Sequence, residues 1–225
     1  VERSRGLGDV YKRQIFYVII LLEVFKMDVG FFTMPIHPID KDYKKSLLED
    51  RHAFLLADRL GFSEAYCGEH VTDAAENITS SALFIASIAS CTKNIRLGTG
   101  TVNMPNSHPA AIAGQIAMLD HMLDGRLNFG ISPGGLASDA EVFGNLDKNR
   151  NEMFVECIDM VLEIWKRDAP YNIKGKYWNV STERTQMTEI GQGIMQKPLQ
   201  KPYPPIICTV VAPFSKGLVA LSLIH

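Results

Sequence analysis

The sequence predicts an α/β protein: an incomplete (β/α)₈ barrel in which about five strand-helix units are present. Four apolar strand candidates begin about 31 to 36 residues apart, the length of one strand-helix unit. Helical stretches separate them, which indicates a parallel sheet covered by helices. Polar and glycine-rich clusters follow several strands, as in barrels whose active site is built from the loops after the strands. No G-x-G-x-x-G follows the first strand, so an open dinucleotide-binding sheet is disfavoured.

Strands and helices are expected to alternate from Met27 onward. The predicted strands are Asp28–Thr33, Glu64–Cys67, Arg96–Thr101, Leu127–Ile131 and Ile206–Val210. The predicted helices are Tyr43–Leu60, Ser80–Cys91, Pro109–Leu123 and Asn149–Lys166. In the last of these, apolar residues follow the i, i+3, i+4, i+7 pattern without a break. Pro109 suits the first turn of the third helix, and Asp124-Gly125 ends it.

Two parts of the chain depart from this alternation. Residues 169–205 contain Gly175–Trp178, a polar run and five prolines, so we expect a short hairpin and a long surface segment. The apolar run Ile15–Phe25 is too short to span a bilayer, and residues 1–14 and 221–225 resemble translated sequencing-adapter text. We therefore predict an artefactual leader at 1–26, a partial barrel domain at 27–220 and an artefactual tail at 221–225.

Composition argues against several functional classes. With 46% hydrophobic residues and a net charge of −2, the chain is typical of a soluble globular protein without a nucleic-acid footprint or a membrane span. The four cysteines form no C-x-x-C pair, which leaves a zinc knuckle or a redox motif without support. Their apolar surroundings predict buried free thiols in a reducing compartment, and we expect a cytoplasmic protein.

Four motifs in the correct order carry a family resemblance. They are Gly61–His70 (GFSEAYCGEH), Arg96–Thr101 (RLGTGT), the "HP…LD…GR" series from His108 to Leu127, and Asn149-Arg150 at the start of a helix. In this order they resemble the second strand, third strand, following helix and fourth helix of bacterial luciferase-like flavin-dependent monooxygenases. The resemblance extends from Met27 to about Ser215 and implies a TIM barrel of luciferase-like type.

His70 and Glu69 are the candidate catalytic residues. His70 follows a predicted strand, and an imidazole that titrates near pH 6.5 suits proton transfer at neutral pH. The resemblance implies that His70 is a general base near the flavin, whereas a hydrogen-bonded packing histidine is the alternative. Glu69 is expected either to orient His70 or to pair with a cation inside the barrel.

The resemblance also implies a set of cofactor-binding residues. At Gly100-Thr101 the family has a cis peptide that lets the backbone face the flavin ring, although a strand bulge at the glycine is the alternative. Arg150 matches a family position that contacts the cofactor phosphate, and a guanidinium suits phosphate oxygens.

The loop after the fourth strand is expected to help bind the same phosphate. Gly134 and Gly135 are predicted to donate backbone N–H groups, with Ser132 beside them. Ser132 and Pro133 stand where luciferases proper have a cysteine and an arginine.

The implied reaction is monooxygenation with reduced FMN, supplied by a flavin reductase, and O₂ as co-substrate. One oxygen atom is transferred to a small organic substrate and the other leaves as water. Five side chains suggest an apolar pocket: Phe31, Phe32, Met34, Met104 and Phe143. A homodimer is expected for a full-length protein.

Three alternatives stay open at this point. The first is an F420-dependent oxidoreductase of the same fold, and the second is a non-catalytic flavin-binding relative. A metal-dependent barrel hydrolase is disfavoured because Phe31-Phe32-Thr33 stands where such enzymes have H-x-H, and we expect no metal site. Since strands six to eight of a barrel are not found, the 225-residue chain is expected to be insoluble or free of FMN, and inactive.

Overall fold

The structure is a computed structural model that describes residues 28–209. In chain order its elements are β1 (Gly30–Thr33), α1 (Tyr43–Leu60), β2 (Glu64–Cys67), α2 (Ser81–Ile88), β3 (Arg96–Thr99), β4 (Val102–Asn103), α3 (Pro109–Met122), β5 (Leu127–Ser132), α4 (Ala137–Val142), α5 (Arg150–Lys166), β6 (Asn172–Lys174), β7 (Asn179–Ser181) and β8 (Ile206–Cys208). The predicted leader and tail lie outside the described residues.

The main sheet is parallel throughout. Strands β1, β2, β3 and β5 lie side by side, β4 pairs with the second half of β5, and β8 pairs with the other edge of β5. Leu97 of β3 is in register with Leu127, and Val102 of β4 with Ile131, so β3 and β4 follow the same edge of β5 in succession. This sheet with its covering helices confirms the predicted α/β class and has the form of an incomplete barrel.

The predicted boundaries hold for most elements. Helix α1 has the predicted limits, because the Asp42 carboxylate accepts the Lys45 N–H at its start and Gly61 ends it at φ 80°. The predicted strand Arg96–Thr101 is divided, since Gly100-Thr101 separates β3 from β4. The expected hairpin is β6 with β7, which pair in antiparallel register.

The hydrophobic core lies between the sheet and its helices. Helix α5 contributes the stripe predicted from its periodicity: Phe154, Cys157, Ile158, Val161 and Trp165 are all buried. The Trp165 ring packs edge-on against Phe129 of β5 at 5.9 Å, and its Nε1 donates to the Ala113 carbonyl of α3 at 3.1 Å. Burying one such aliphatic or aromatic side chain stabilises a fold by about 1.5–3 kcal/mol.

The cysteines agree only in part with the expectation of buried thiols. Cys67 and Cys157 are buried, and burial raises the pKa of both thiols. Cys208 is half-buried, whereas Cys91 is exposed, at the end of the short 3₁₀ turn that follows α2. The expectation was wrong for Cys91 because its turn lies at the protein surface.

A polar cluster occupies the inner face of the sheet near the amino ends of the strands. Arg96 Nε donates to Asn128 Oδ1 at 2.9 Å, and Asn128 Nδ2 donates to Glu64 Oε2 at 3.1 Å. Tyr66 donates its hydroxyl to the same Glu64 oxygen, and burial with this contact raises the pKa of the Tyr66 phenol. The charge of Arg96 is thus engaged at the end of the sheet opposite the loops that follow the strands.

The "GR" of the sequence motif has a structural role. The Arg126 guanidinium donates to the carbonyls of Ile95 at 2.6 Å, Thr92 at 3.2 Å and Ala89 at 3.4 Å. These contacts tie the end of the α2 segment to the start of β3.

None of the helices within residues 28–209 is long and apolar enough to cross a membrane.

Candidate active site

Most of the predicted site residues meet at the carboxyl ends of the parallel strands. Glu69 and His70 follow β2, Thr101 precedes β4, and the Ser132–Gly135 segment ends β5. Parallel strands bring these ends to one edge of the sheet, where ligands bind in barrels of this class. Arg150 joins them from the first turn of α5.

His70 is held between two carboxylates. Its Nδ1 lies 3.0 Å from Asp139 Oδ2, and its Nε2 lies 3.3 Å from Glu76 Oε2. The His70 side chain is 16% exposed, so it is not fully closed off from solvent. Neither Asp139 nor Glu76 was predicted from the sequence. Asp139 sits in α4, a six-residue helix too short to show periodicity.

Asp139 is almost fully buried, and its carboxylate makes hydrogen bonds to other groups besides His70. Its Oδ1 accepts the backbone N–H groups of Val71 at 3.1 Å and Thr72 at 2.9 Å, and the Thr72 hydroxyl at 2.7 Å. Burial by itself would raise the pKa of Asp139, but hydrogen bonds from Thr72 and His70 outweigh it and hold the pKa below its usual value. The carboxylate is therefore ionised at neutral pH.

Glu69 contacts other groups than those predicted. Its Oε2 accepts the backbone N–H of Ser81 at 2.9 Å and the Ser81 hydroxyl at 2.7 Å, while Oε1 accepts the Asn103 N–H at 3.1 Å. Burial raises the pKa of Glu69 against the opposing effect of these hydrogen bonds. Its carboxylate thus joins the start of α2 to β4. The expected pairing with His70 is instead made by Asp139, and the hydrogen-bond partners of Glu69 are not cations.

A hydrogen-bonded chain runs from Glu69 to the loop after β5. Asn103 Nδ2 donates to the Glu69 carbonyl at 3.3 Å, and its Oδ1 accepts the Ser132 hydroxyl at 3.0 Å. Ser132 Oγ in turn accepts from Thr101 Oγ1 at 2.7 Å and from the Gly134 N–H at 3.2 Å. Sequence reasoning missed Asn103, which links the residues predicted from separate motifs.

Arg150 lies against the glycine pair. Its Nη1 donates to the Gly134 carbonyl at 3.0 Å, and its side chain is half-buried. Gly134 has φ 78°, a conformation that favours glycine. Its N–H is engaged by Ser132, so the expected N–H donation from this loop falls to Gly135, around which a Cβ would meet nothing within 4 Å. A guanidinium beside a glycine in open space fits a phosphate group.

The Gly100-Thr101 peptide bond is cis, as predicted. Next to it, Phe32 is 61% exposed on the inner face of the sheet. A Cβ on Gly100 would lie 3.0 Å from the Phe32 ring and 3.1 Å from Tyr66 Cβ, so this position has little room for a side chain. The backbone of Gly100-Thr101 therefore lies close beside the Phe32 ring.

The expected apolar pocket is only partly present. Phe31 packs edge-on against Phe54 at 5.4 Å, and Met104 is fully buried, so both belong to the core. Phe31 and Phe32 are neighbours in β1, and side chains alternate between the two faces of a strand. Phe31 therefore packs against the hydrophobic core, and Phe32 lies on the opposite, exposed face of the sheet. Phe143, 40% exposed, lines a cavity of about 250 Å³ that also contacts Glu69.

The histidines provide no metal site in the described part of the chain. Within residues 28–209, no three His, Cys, Asp or Glu side chains are grouped in a way that could hold a metal ion. His37 instead contacts Asp50 at 2.8 Å, and His108 accepts the Ala110 N–H at the start of α3.

The chain is similar in sequence to several bacterial monooxygenases. Limonene 1,2-monooxygenase of Rhodococcus erythropolis is 35% identical over 60% of this chain and 35% of its own length. The oxygenase component of the flavin-dependent trigonelline monooxygenase of Acinetobacter baylyi is 34% identical over 67% of this chain and 39% of its own length. The chain thus spans well under half the length of these curated relatives.

Two solved structures share the fold of this chain. The oxygenating constituent of 3,6-diketocamphane monooxygenase from Pseudomonas putida, in complex with FMN, has a TM-score of 0.73 at 28% identity over 81% of this chain and 51% of that chain. An F420-dependent secondary alcohol dehydrogenase has a TM-score of 0.67 at 20% identity over 85% of this chain and 54% of that chain, which shows the fold alone. The family described as luciferase-like monooxygenase matches residues 27–220. This chain belongs to the luciferase-like monooxygenase family.

Proposed function

We propose that the protein is a monooxygenase that uses reduced FMN and O₂ to oxygenate a small apolar organic substrate. The observation that carries this proposal is that Thr101, Ser132, Gly134 and Arg150 form a hydrogen-bonded chain at the carboxyl ends of the strands, the edge of the sheet where His70 follows β2. When bound, reduced FMN supplies two electrons, so that one atom of O₂ enters the substrate and the other leaves as water.

Arg150 and Gly135 are the groups that would hold the FMN phosphate. Arg150 presents a planar set of N–H donors, and its bond to the Gly134 carbonyl directs the guanidinium toward the glycine pair. Ser132 holds this loop in place through the Gly134 N–H, and the backbone of Gly100-Thr101 offers a surface for the flavin ring. A phosphate bound there would find the cation and the free space that phosphate recognition requires.

His70 would act as the general base. Its Nδ1 is occupied by Asp139, so Nε2 is the atom positioned to accept a proton. Glu69 serves as a positioning residue, because its carboxylate fixes β4 and the start of α2 on either side of the loop that contains His70.

Partners and setting follow from relatives and are part of this proposal. The trigonelline relative is named as an oxygenase component, which favours a separate flavin reductase as the source of reduced FMN. The relatives that act on limonene and diketocamphane favour a small apolar substrate here. We also propose a cytoplasmic homodimer. The likeness to an F420-dependent dehydrogenase keeps hydride transfer from a substrate to F420 as the second candidate.

The candidates are separated by assays on a protein that contains this chain and is as long as the curated relatives. We expect it to bind FMN and to consume O₂ with NADH, a flavin reductase and a terpene or ketone substrate. His70→Ala should lower turnover by about 10²-fold or more while FMN affinity changes little. His121→Ala, which removes a surface histidine bonded to the Lys197 carbonyl, is the control.

The other outcomes have distinct meanings. Binding of F420 with alcohol oxidation and no O₂ uptake would establish the second candidate. FMN binding without any reductase-dependent O₂ uptake would identify a non-catalytic flavin-binding relative. Near-normal oxygenation by His70→Ala would show that His70 is not the base.

A further inference from the structure

The carboxylate of Asp139 joins two loops that are distant in sequence. Asp139 lies in α4, after β5, and the hydrogen-bond partners of its carboxylate lie in the loop after β2: His70, Val71 and Thr72. The Asp139 side chain is 4% exposed, so these contacts form in a site with little water. Charge-assisted hydrogen bonds are shorter and stronger than neutral ones, and here they fix the carboxylate relative to the imidazole ring.

The two oxygens of Asp139 have separate roles. Oδ1 accepts from two backbone N–H groups and one hydroxyl, whereas Oδ2 faces His70 Nδ1 at 3.0 Å. An ionised carboxylate can only accept hydrogen bonds, so His70 Nδ1 must be the donor. In a neutral imidazole with its proton on Nδ1, the lone pair is on Nε2.

We propose that Asp139 is a positioning residue that holds His70 in the tautomer protonated on Nδ1, which leaves the lone pair on Nε2. This inference rests on the proposed function of His70. Glu76 completes the arrangement, because its buried Oε2 lies 3.3 Å from Nε2 without hydrogen-bond geometry. When Nε2 takes up a proton, the resulting imidazolium lies between two carboxylates.

The substitution Asp139→Asn tests this directly because it keeps the shape of the side chain. The Val71 and Thr72 N–H groups require an acceptor, so the amide oxygen must replace Oδ1. The amide nitrogen then replaces Oδ2 and donates to His70 Nδ1. This forces the imidazole proton onto Nε2 and removes the lone pair there.

The measurement is ¹⁵N NMR of the His70 ring in its neutral form, assigned by comparison with His70→Gln. We expect the Nδ1-protonated tautomer in the wild type and the Nε2-protonated tautomer in Asp139→Asn. In protein as long as the curated relatives, turnover should fall by up to about 10⁴-fold, the loss seen in the Ser-His-Asp triad when the carboxylate that orients the histidine becomes an amide. The KM and the FMN affinity should change little.

Thr72→Ala is the matched control. It removes the Thr72 hydroxyl bond to Asp139 Oδ1 but leaves both backbone bonds and the contact with His70. We expect lower thermal stability with the wild-type tautomer. An unchanged tautomer in Asp139→Asn, or the same switch in Thr72→Ala, would overturn the inference. A switched tautomer with undiminished turnover would support the positioning by Asp139 and instead overturn the base role of His70.

Discussion

Replacing Arg150 by alanine should weaken FMN binding far more than riboflavin binding. The two ligands share the isoalloxazine ring and the ribityl chain, and only FMN has the phosphate. Arg150 lies beside the glycine pair through its bond to the Gly134 carbonyl. If the guanidinium contacts the phosphate, the difference between the two ligands isolates that contact.

The expected magnitude follows from the exposure of the side chain. A hydrogen bond to a charged group contributes about 1.5–3 kcal/mol, and since Arg150 is only half-buried we take the lower end, about 1.5–2 kcal/mol. Because every 1.4 kcal/mol is a factor of ten, the Kd for FMN should rise by about 10- to 30-fold. The Kd for riboflavin should change by less than about 3-fold. Arg150→Lys keeps the charge but loses the planar fork, so its loss should be intermediate.

Flavin fluorescence titration of the two ligands against wild type, Arg150→Ala and Arg150→Lys, each in protein as long as the curated relatives, measures these constants. The fold itself should tolerate the change: the Gly134 N–H stays bonded to Ser132, and removing a cation from the first turn of α5 favours that helix slightly. Thermal unfolding monitored by circular dichroism checks this. An equal loss for FMN and riboflavin, without a fall in Tm, would refute phosphate contact by Arg150.

Two further predictions concern stability. Gly130→Ala places a Cβ 1.8 Å from the Thr99 carbonyl oxygen and should destabilise by about 3 kcal/mol or more, whereas Gly114→Ala, in open space within α3, should be neutral or stabilising; calorimetric Tm values compare them. The Asp58 carboxylate accepts three backbone N–H groups, which lower its pKa below the usual value despite the opposing effect of burial. Asp58 therefore stabilises the folded state above about pH 4, and this contribution is lost as the pH falls below that value. Urea denaturation of Asp58→Asn should show a shallower loss of stability between pH 5 and 3 than the wild type, and an identical slope would contradict this.

The strands and long helices could be predicted because their patterns are local. Helix α5 shows its buried stripe in the spacing of its own apolar residues, and α1 begins and ends at residues suited to caps. For the third predicted strand, the cis bond at Gly100-Thr101 was predicted, but the end of the strand at this bond was not.

The partners of the site residues could not be predicted in the same way. The expectation that Glu69 orients His70 came from their adjacency, but neighbours at a strand end point in different directions, and Glu69 points to α2. Asp139, which contacts His70 Nδ1, is 69 positions away, in a helix of six residues with no periodic signal. Arg150 was assigned to the cofactor phosphate by resemblance and Gly134 by its backbone N–H. In the structure Arg150 Nη1 lies 3.0 Å from the Gly134 carbonyl oxygen.

The sequence separations within the site also determine when it can form during folding. The bonds from Thr101 to Ser132, Glu69 to Asn103 and His70 to Asp139 close loops of 31, 34 and 69 residues. Closing such loops costs conformational entropy, and a few polar contacts cannot compensate for it without the strand pairing of β2, β3 and β5. The imidazole of His70 should therefore reach its native environment only after these strands have paired, and its NMR signal should disappear together with the sheet on unfolding.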